Sequence, residues 1–180
     1  VAALPLTLHL LRHAKSSWDV PGQEDHDRAL NGRGRKAAKA MGRYLARQGP
    51  LPDRVLCSTS VRTRETWDRM RPSLEAAGAH PAVEFERDLY LAGAGALLER
   101  VRACDGDSCL LVVAHNPGTG DLALGLAGGG DEEAWRRMRD KYPTAALASL
   151  VFEAASWSEI APNAGELVRF VVPRELGDVR

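Results

Sequence analysis

The chain has 180 residues, 44% hydrophobic and 27% charged, proportions that suit a single domain (1–180) with a buried core rather than a disordered chain. Lysine plus arginine and aspartate plus glutamate both number 24, so the formal charge is zero and no global basic field recruits nucleic acid or an anionic membrane. The apolar runs are too short to span a bilayer, and any preference for anions must come from a local cluster.

The opening residues, Val1-Ala2-Ala3-Leu4-Pro5, lack the basic n-region of a secretory signal, so a cytoplasmic location is expected. Leu6 to Leu11 predicts a buried first strand with His9 packed inside it. The run ends abruptly in Arg12-His13, a fixed cation beside a titratable nitrogen. That pair suits a phosphate, because a guanidinium clamps oxygens bidentately and an imidazole attacks phosphorus or moves a proton. A polar loop follows from Lys15 to Leu30, with Pro21-Gly22 and an acidic cluster at Glu24, Asp25 and Asp27. Lys15 reads as an exposed lysine that is also within reach of a ligand held by the strand tip.

Asn31 can cap a helix that runs to about Gln48, where Gly49-Pro50 stops it. Ala37, Ala38, Met41, Tyr44 and Leu45 form its apolar stripe. Its basic residues, from Arg33 to Arg47, read first as a solvated face and second as a docking surface. Asp53 to Cys57 predicts a second strand, and a helix then runs to about Ala77, before Gly78. Either Ser58 or Ser60 can cap that helix, which puts Arg62 in or near its first turn, beside free backbone N–H groups. Arg64 points to another face and reads as structural.

Val83 to Phe85 predicts a third strand, and Ala94 to Ala103 a third helix. Leu110 to Ala114 is the clearest strand signal, and it ends in His115-Asn116-Pro117. Asn116 is placed to cap the next helix, with Pro117 at its first position and Gly128-Gly129-Gly130 beyond its end near Ala127. Asp131 to Lys141 carries acids at its start and bases at its end, as the helix dipole prefers, and reads as a structural helix or a lid. Ala145 to Phe152 and Leu167 to Val172 are the last strands, separated by a loop with Trp157 and Pro162. Cys57, Cys104 and Cys109 are odd in number and not in metal spacing, so reduced thiols are expected and no metal site.

Alternating strands and helices argue an α/β chain, with a mainly parallel sheet covered by helices on both faces. Ligands of such sheets bind beyond the carboxyl ends of the strands. Arg12-His13, Ser58 with Arg62, and His115 all follow strand ends, so two arginines and two histidines converge on one edge. One neutral imidazole can then attack phosphorus while the other groups donate to its oxygens. At an effective dielectric of ~20, a cation ~4 Å from a phosphate oxygen contributes roughly 4 kcal/mol before desolvation.

Together these runs resemble the histidine phosphatase (phosphoglycerate mutase-like) superfamily. The matching stretches are Leu11-Arg12-His13-Ala14-Lys15-Ser16, Cys57-Ser58 through Arg62 and Thr66, and Ala114-His115-Asn116-Pro117. Alanine stands at 14 and at 114 where glycine is commoner. Arg28-Ala29-Leu30 with Gly34 and Ala37, the His115-Asn116-Pro117 tripeptide, Pro143-Thr144-Ala145 and the short length favour the SixA-type branch of phosphohistidine phosphatases.

The resemblance implies a three-layer α/β/α sandwich and a metal-independent phosphatase without a cofactor. It implies His13 as nucleophile, with Arg12, Arg62 and His115 completing the phosphate pocket and Arg28 as a further phosphate-side arginine. Ser58 supports the pocket through its hydroxyl or caps the helix, and Glu86 and Asp88 are the candidate general acids. The implied substrate is phosphohistidine in a protein; the alternative is a small phosphorylated metabolite. Three other readings carry less: a mutase, for which the chain leaves little room; a silent phospholigand-binding module, against which both intact histidines argue; and a phosphatase domain cut from a Nudix-linked chain. The oligomeric state is left open by the sequence.

Overall fold

Strand β1 (Leu6–Arg12) is buried along nearly its whole length because it has a neighbour on each side and helices above and below. The computed structural model describes residues 4–177, so residues 1–3, part of the stretch lacking a secretory n-region, lie outside it. The sheet has seven strands: β1, β2 (Arg54–Ser58), β3 (Ala82–Glu86), β4 (Cys109–Ala114), β5 (Ala127–Gly130), β6 (Leu147–Phe152) and β7 (Gly165–Val171). Their order is β3-β2-β4-β1-β6-β7-β5. The β3-β2-β4-β1 half is entirely parallel, β6 runs antiparallel to both its neighbours, and β5 is parallel to β7. A sheet with helices on both faces is the expected three-layer α/β sandwich.

Period-two alternation divides the core between the two faces. Leu8, Leu10, Leu110 and Val112 pack with Leu97, Leu122 and Met138 from α3 (Ala94–Arg102), α4 (Gly118–Leu126) and α5 (Glu132–Asp140). Leu11, Val55, Leu111 and Val113 pack with Met41, Leu45, Trp67 and Met70 from α1 (Gly32–Gln48) and α2 (Val61–Ala76). His9 is packed as expected. Its Nε2 donates to the Pro50 carbonyl at 2.9 Å and its Nδ1 faces Ser149 Oγ at 2.8 Å. The three cysteines are buried and unpaired. No helix among the described residues is long and apolar enough to cross a membrane.

The structure departs from the sequence reading at several places. Residues 127–130, expected as a helix end and a glycine loop, form β5 on the edge beside β7. Glycine permits this, since a Cβ at Gly128 would lie 1.8 Å from the Asn163 carbonyl oxygen. Helix α4 starts one residue late, with Pro117 at the cap, while Asn116 Oδ1 accepts from the Gly120 N–H at 3.2 Å. Ala145 is not in a strand: at φ 60° it turns its N–H onto the Arg12 and His13 carbonyls, and β6 begins at Leu147. The Lys15–Leu30 loop has order of its own, an isolated bridge between Ser16 and Leu30 and a 3-10 turn at Asp25–Asp27.

Candidate active site

Three parallel strands deliver their tips to one edge, as the alternation requires. β1 delivers Arg12 and His13, β2 delivers Ser58, and β4 delivers His115. Registers pairing Arg12 with Ala114 and Cys57 with Val113 bring these tips level. Helix α2 adds Arg62 from its first turn. Thr66 fastens that turn to the strand: its Oγ1 accepts from the Ala14 N–H at 2.9 Å and donates to the Arg62 carbonyl at 2.7 Å.

Hydrogen bonding fixes the tautomer of both imidazoles. His13 Nδ1 lies 2.8 Å from the Ala14 carbonyl oxygen, which only accepts, so Nδ1 carries the proton. Nε2 is then a lone pair, and it accepts from Arg62 Nε at 3.3 Å. His115 is the reverse case. Its Nδ1 faces Arg62 Nη2 at 3.4 Å and must accept, so Nε2 donates to Ser58 Oγ at 2.8 Å. The two rings stand 5.3 Å apart. Burial, reinforced by the charges of Arg62, Arg12 and Arg28, pushes His13 down to about 4. Burial, with His13 and Arg62 adding to it, pushes His115 down to about 3. Both rings are neutral at pH 7, the state in which His13 Nε2 is a nucleophile.

Arg12 Nη1 donates to the Tyr142 carbonyl at 2.9 Å, and its buried Nε has no partner among the described residues. Arg28 is buried beneath the exposed Trp18 ring, 3.5 Å from its centroid, and donates to Ser16 Oγ at 2.7 Å. Ser58 is not the helix cap. Ser60 takes that role by accepting from the Thr63 N–H, while the Ser58 hydroxyl faces His115 at 2.8 Å and accepts from the Ser60 N–H at 3.4 Å. Glu86 and Asp88 are not brought to the cluster's centre. Both carboxylate oxygens of Glu86 accept from Arg100 Nε, at 2.8 and 2.9 Å, and Asp88 is exposed in a 3-10 turn. Arg64 donates to the Thr59 carbonyl and lies over Phe85, away from the cluster.

The carboxylate inside the cluster is Asp25, from the loop between β1 and α1. Asp25 accepts from Arg62 Nη2 at 2.9 Å, from Arg28 Nε at 3.0 Å and from the Tyr90 hydroxyl, and its own carbonyl accepts from Arg62 Nη1 at 2.6 Å. Burial alone would raise this carboxyl, but Tyr90, Arg62 and Arg28 together hold it far below the usual range. Tyr90 also packs edge-on to His115, with ring centroids 5.3 Å apart. A signal existed at Asp25-x-x-Arg28, a spacing that lets an acid and a base meet across one turn. Tyr90 left no comparable signal. Three guanidiniums around a neutral imidazole lone pair form a site for an oxyanion with an electrophilic centre, which is the chemistry of phosphoryl transfer.

Residues 8–89 match the family model of the histidine phosphatase superfamily (branch 1). An uncharacterized protein of Mycobacterium tuberculosis, Rv1276c, is 38% identical over 167 residues, 91% of this chain and 100% of that protein. A Nakamurella multipartitia structure assigned to the SixA phosphohistidine phosphatases is 30% identical, with a TM-score of 0.79 over 96% of this chain and 99% of that one. An Agrobacterium tumefaciens structure with the same assignment is 26% identical, with a TM-score of 0.77 over 95% of this chain and 100% of that one.

Proposed function

This chain belongs to the histidine phosphatase superfamily, in its SixA-type branch and with the phosphoglycerate mutase-like fold, and from that premise we propose that this phosphatase acts on phosphohistidine in a protein. The reaction runs through a phosphohistidine intermediate on His13. The Nε2 lone pair attacks phosphorus in line as the bond to the leaving nitrogen breaks, and the electron pair departs with the leaving imidazole. Arg12, Arg28, Arg62 and His115 surround the phosphoryl oxygens, which take over the Arg28 and Arg62 donors that Asp25 now occupies. Water then attacks phosphorus, phosphate leaves, and His13 returns to its Nδ1–H tautomer.

The state of the carboxylates carries this reading. Asp25 is held ionised by its donors, Glu86 is occupied by Arg100, and Asp88 stands in solvent. Glu86 and Asp88 thus stand outside the cluster, and the carboxylate inside it is held ionised. An alkoxide needs a protonated acid at its oxygen, whereas a phosphorylated imidazole protonated at its far nitrogen departs as a neutral ring.

The test is turnover of a phosphohistidine peptide, a sugar phosphate and a nucleotide by purified protein in the presence of a chelator. The peptide should be hydrolysed preferentially, and His13→Ala should abolish hydrolysis. A clear preference for an alkyl phosphate, lost on Glu86→Gln or Asp88→Asn, would instead establish a phosphomonoesterase of small metabolites.

A further inference from the structure

A cleft of about 720 Å³ opens beside the phosphate site. Among the described residues its lining includes five cations, Lys15, Arg33, Arg137, Lys141 and Arg174, and one acid, Asp140. Asp140 is itself 3.7 Å from Arg139 Nη2. The formal charge of the chain is zero, so this is a strong local excess. The cations come from four separate stretches: the loop after β1, the start of α1, the end of α5 and the turn at Pro173–Glu175. All but Arg137 are exposed, and Arg137 is engaged by Glu175 and the Phe170 carbonyl.

The cleft and the phosphate site share backbone. Lys15 follows His13 by two residues. Pro143 and Thr144, in the cleft wall, lie between Tyr142, whose carbonyl accepts from Arg12 and Asn116, and Ala145, whose N–H donates to the His13 carbonyl at 3.0 Å. A ligand in the cleft is therefore attached to the same walls that shape the pocket.

We propose that this cleft docks an acidic, partly apolar segment of the phosphorylated protein, a partner assignment that rests on the phosphohistidine reading above. The distribution of charge favours a polypeptide over a compact polyanion. Cations spread over four stretches match carboxylates spaced along a chain, at about 3.3–3.6 Å per extended residue. A compact polyanion calls for converging donors, as at Arg62 and Arg28. Between the cations the lining is apolar, with Ala37, Phe170, Val172 and Leu176, and this suits the side chains that separate the acids of such a segment. Complementary charge also steers the partner so that its phosphorylated ring arrives beside His13.

The test uses fluorescence anisotropy with two labelled, unphosphorylated peptides, one alternating Glu and Leu and one alternating Gln and Leu. The wild-type protein should bind the acidic peptide about tenfold more tightly at low salt, and the preference should fade as ionic strength rises. Arg33→Glu with Arg174→Glu should remove the preference, with an unchanged melting temperature showing that the variant is folded. The KM for an acidic phosphohistidine peptide should rise in parallel. Equal affinity for both peptides, a salt-independent preference, or an unaffected folded variant would overturn the proposal. Tripolyphosphate binding that is tighter than that of the acidic peptide and is lost with Arg33→Glu and Arg174→Glu would reassign the cleft to a small polyanion and overturn it equally. The peptides carry no phosphate, so acidic-peptide binding by a protein that hydrolyses only alkyl phosphates would sink the substrate reading and leave the docking surface standing.

Discussion

Ser58 Oγ lies 2.8 Å from His115 Nε2, at the level where β2 and β4 end side by side. The contact holds His115 in the tautomer whose Nδ1 faces Arg62. Ser58→Ala leaves a buried ring N–H without its acceptor, a loss of about 1–3 kcal/mol. It should lower kcat roughly tenfold, equivalent to about 1.4 kcal/mol of barrier. Ser60→Ala, two residues on, removes the α2 cap and should lower stability by about 1 kcal/mol. Its kcat should change by less than about twofold. Paired kinetics and thermal melts of both variants check this. Equal kcat losses would show that Ser58 acts only through the helix start.

Asp25 orients Arg62 and Arg28 while occupying donors that the proposed reaction assigns to the phosphoryl group. Asp25→Asn keeps the shape and removes the charge. Loss of orientation should lower kcat about tenfold, or about 1.4 kcal/mol. Loss of a nearby negative charge should tighten inhibition by inorganic phosphate. The carboxyl is held below its unfolded value, so its contribution to stability is present above the ordinary carboxylate range and is lost as pH falls below it. The variant's melting temperature should therefore fall less steeply on the acid side. An unchanged kcat with weaker phosphate inhibition would refute the positioning role.

The strand tips were legible because they depend on two strong patterns, apolar runs and the residues that end them. Leu6 to Leu11 and Leu110 to Ala114 could only be buried, and parallel pairing then forces Arg12-His13 and His115 together. Ser58 against Ser60 was not decidable, because both spacings satisfy a helix start and only the position of His115 separates them. The pairing of Asp25 with Tyr90 was illegible for a related reason. Their contact spans 65 positions and depends on how a loop without periodicity folds back over the sheet edge. The glycines of β5 read as a loop because edge pairing with β7 is a tertiary contact that overrides poor strand propensity.

Neutral buried histidines predict acid sensitivity of a definite sign. His13 and His9 are held near 4 and His115 near 3, below the ordinary value of about 6.5. Between those limits the unfolded chain binds more protons than the folded one. Their contribution to stability is complete above about pH 6.5 and is lost as pH falls toward 4 and then 3. Melting temperature should therefore drop through this window. The acid limb of kcat/KM, which reports the free enzyme, should fall well below 6.5 after correction for the substrate's own ionisation. A limb centred on 6.5 would mean that His13 is not the buried, arginine-flanked group described.

Gly34 secures the loop that carries Arg28. It sits in the first turn of α1, where Asn31 Oδ1 accepts its N–H at 2.8 Å, and a Cβ there would lie 2.0 Å from the Lys15 carbonyl oxygen. That carbonyl also accepts from the Asn31 N–H at 3.0 Å, which closes the loop from residue 15 to residue 31 next to the Ser16–Leu30 bridge. The obstacle is backbone on both sides, so no side-chain rotation relieves it. Gly34→Ala must push Lys15 away from α1, and Ser16 with it. Arg28, which donates to Ser16 Oγ at 2.7 Å, then loses its register with Asp25 and with the proposed phosphate site. The expected cost is about 1–3 kcal/mol of stability with a rise in KM. Gly32→Ala, in the same turn but facing only the tip of Arg35 at 3.7 Å, should leave both nearly unchanged. Denaturant melts and steady-state kinetics of the two variants separate a local clash from a general loss of backbone freedom, since the latter would affect both glycines alike.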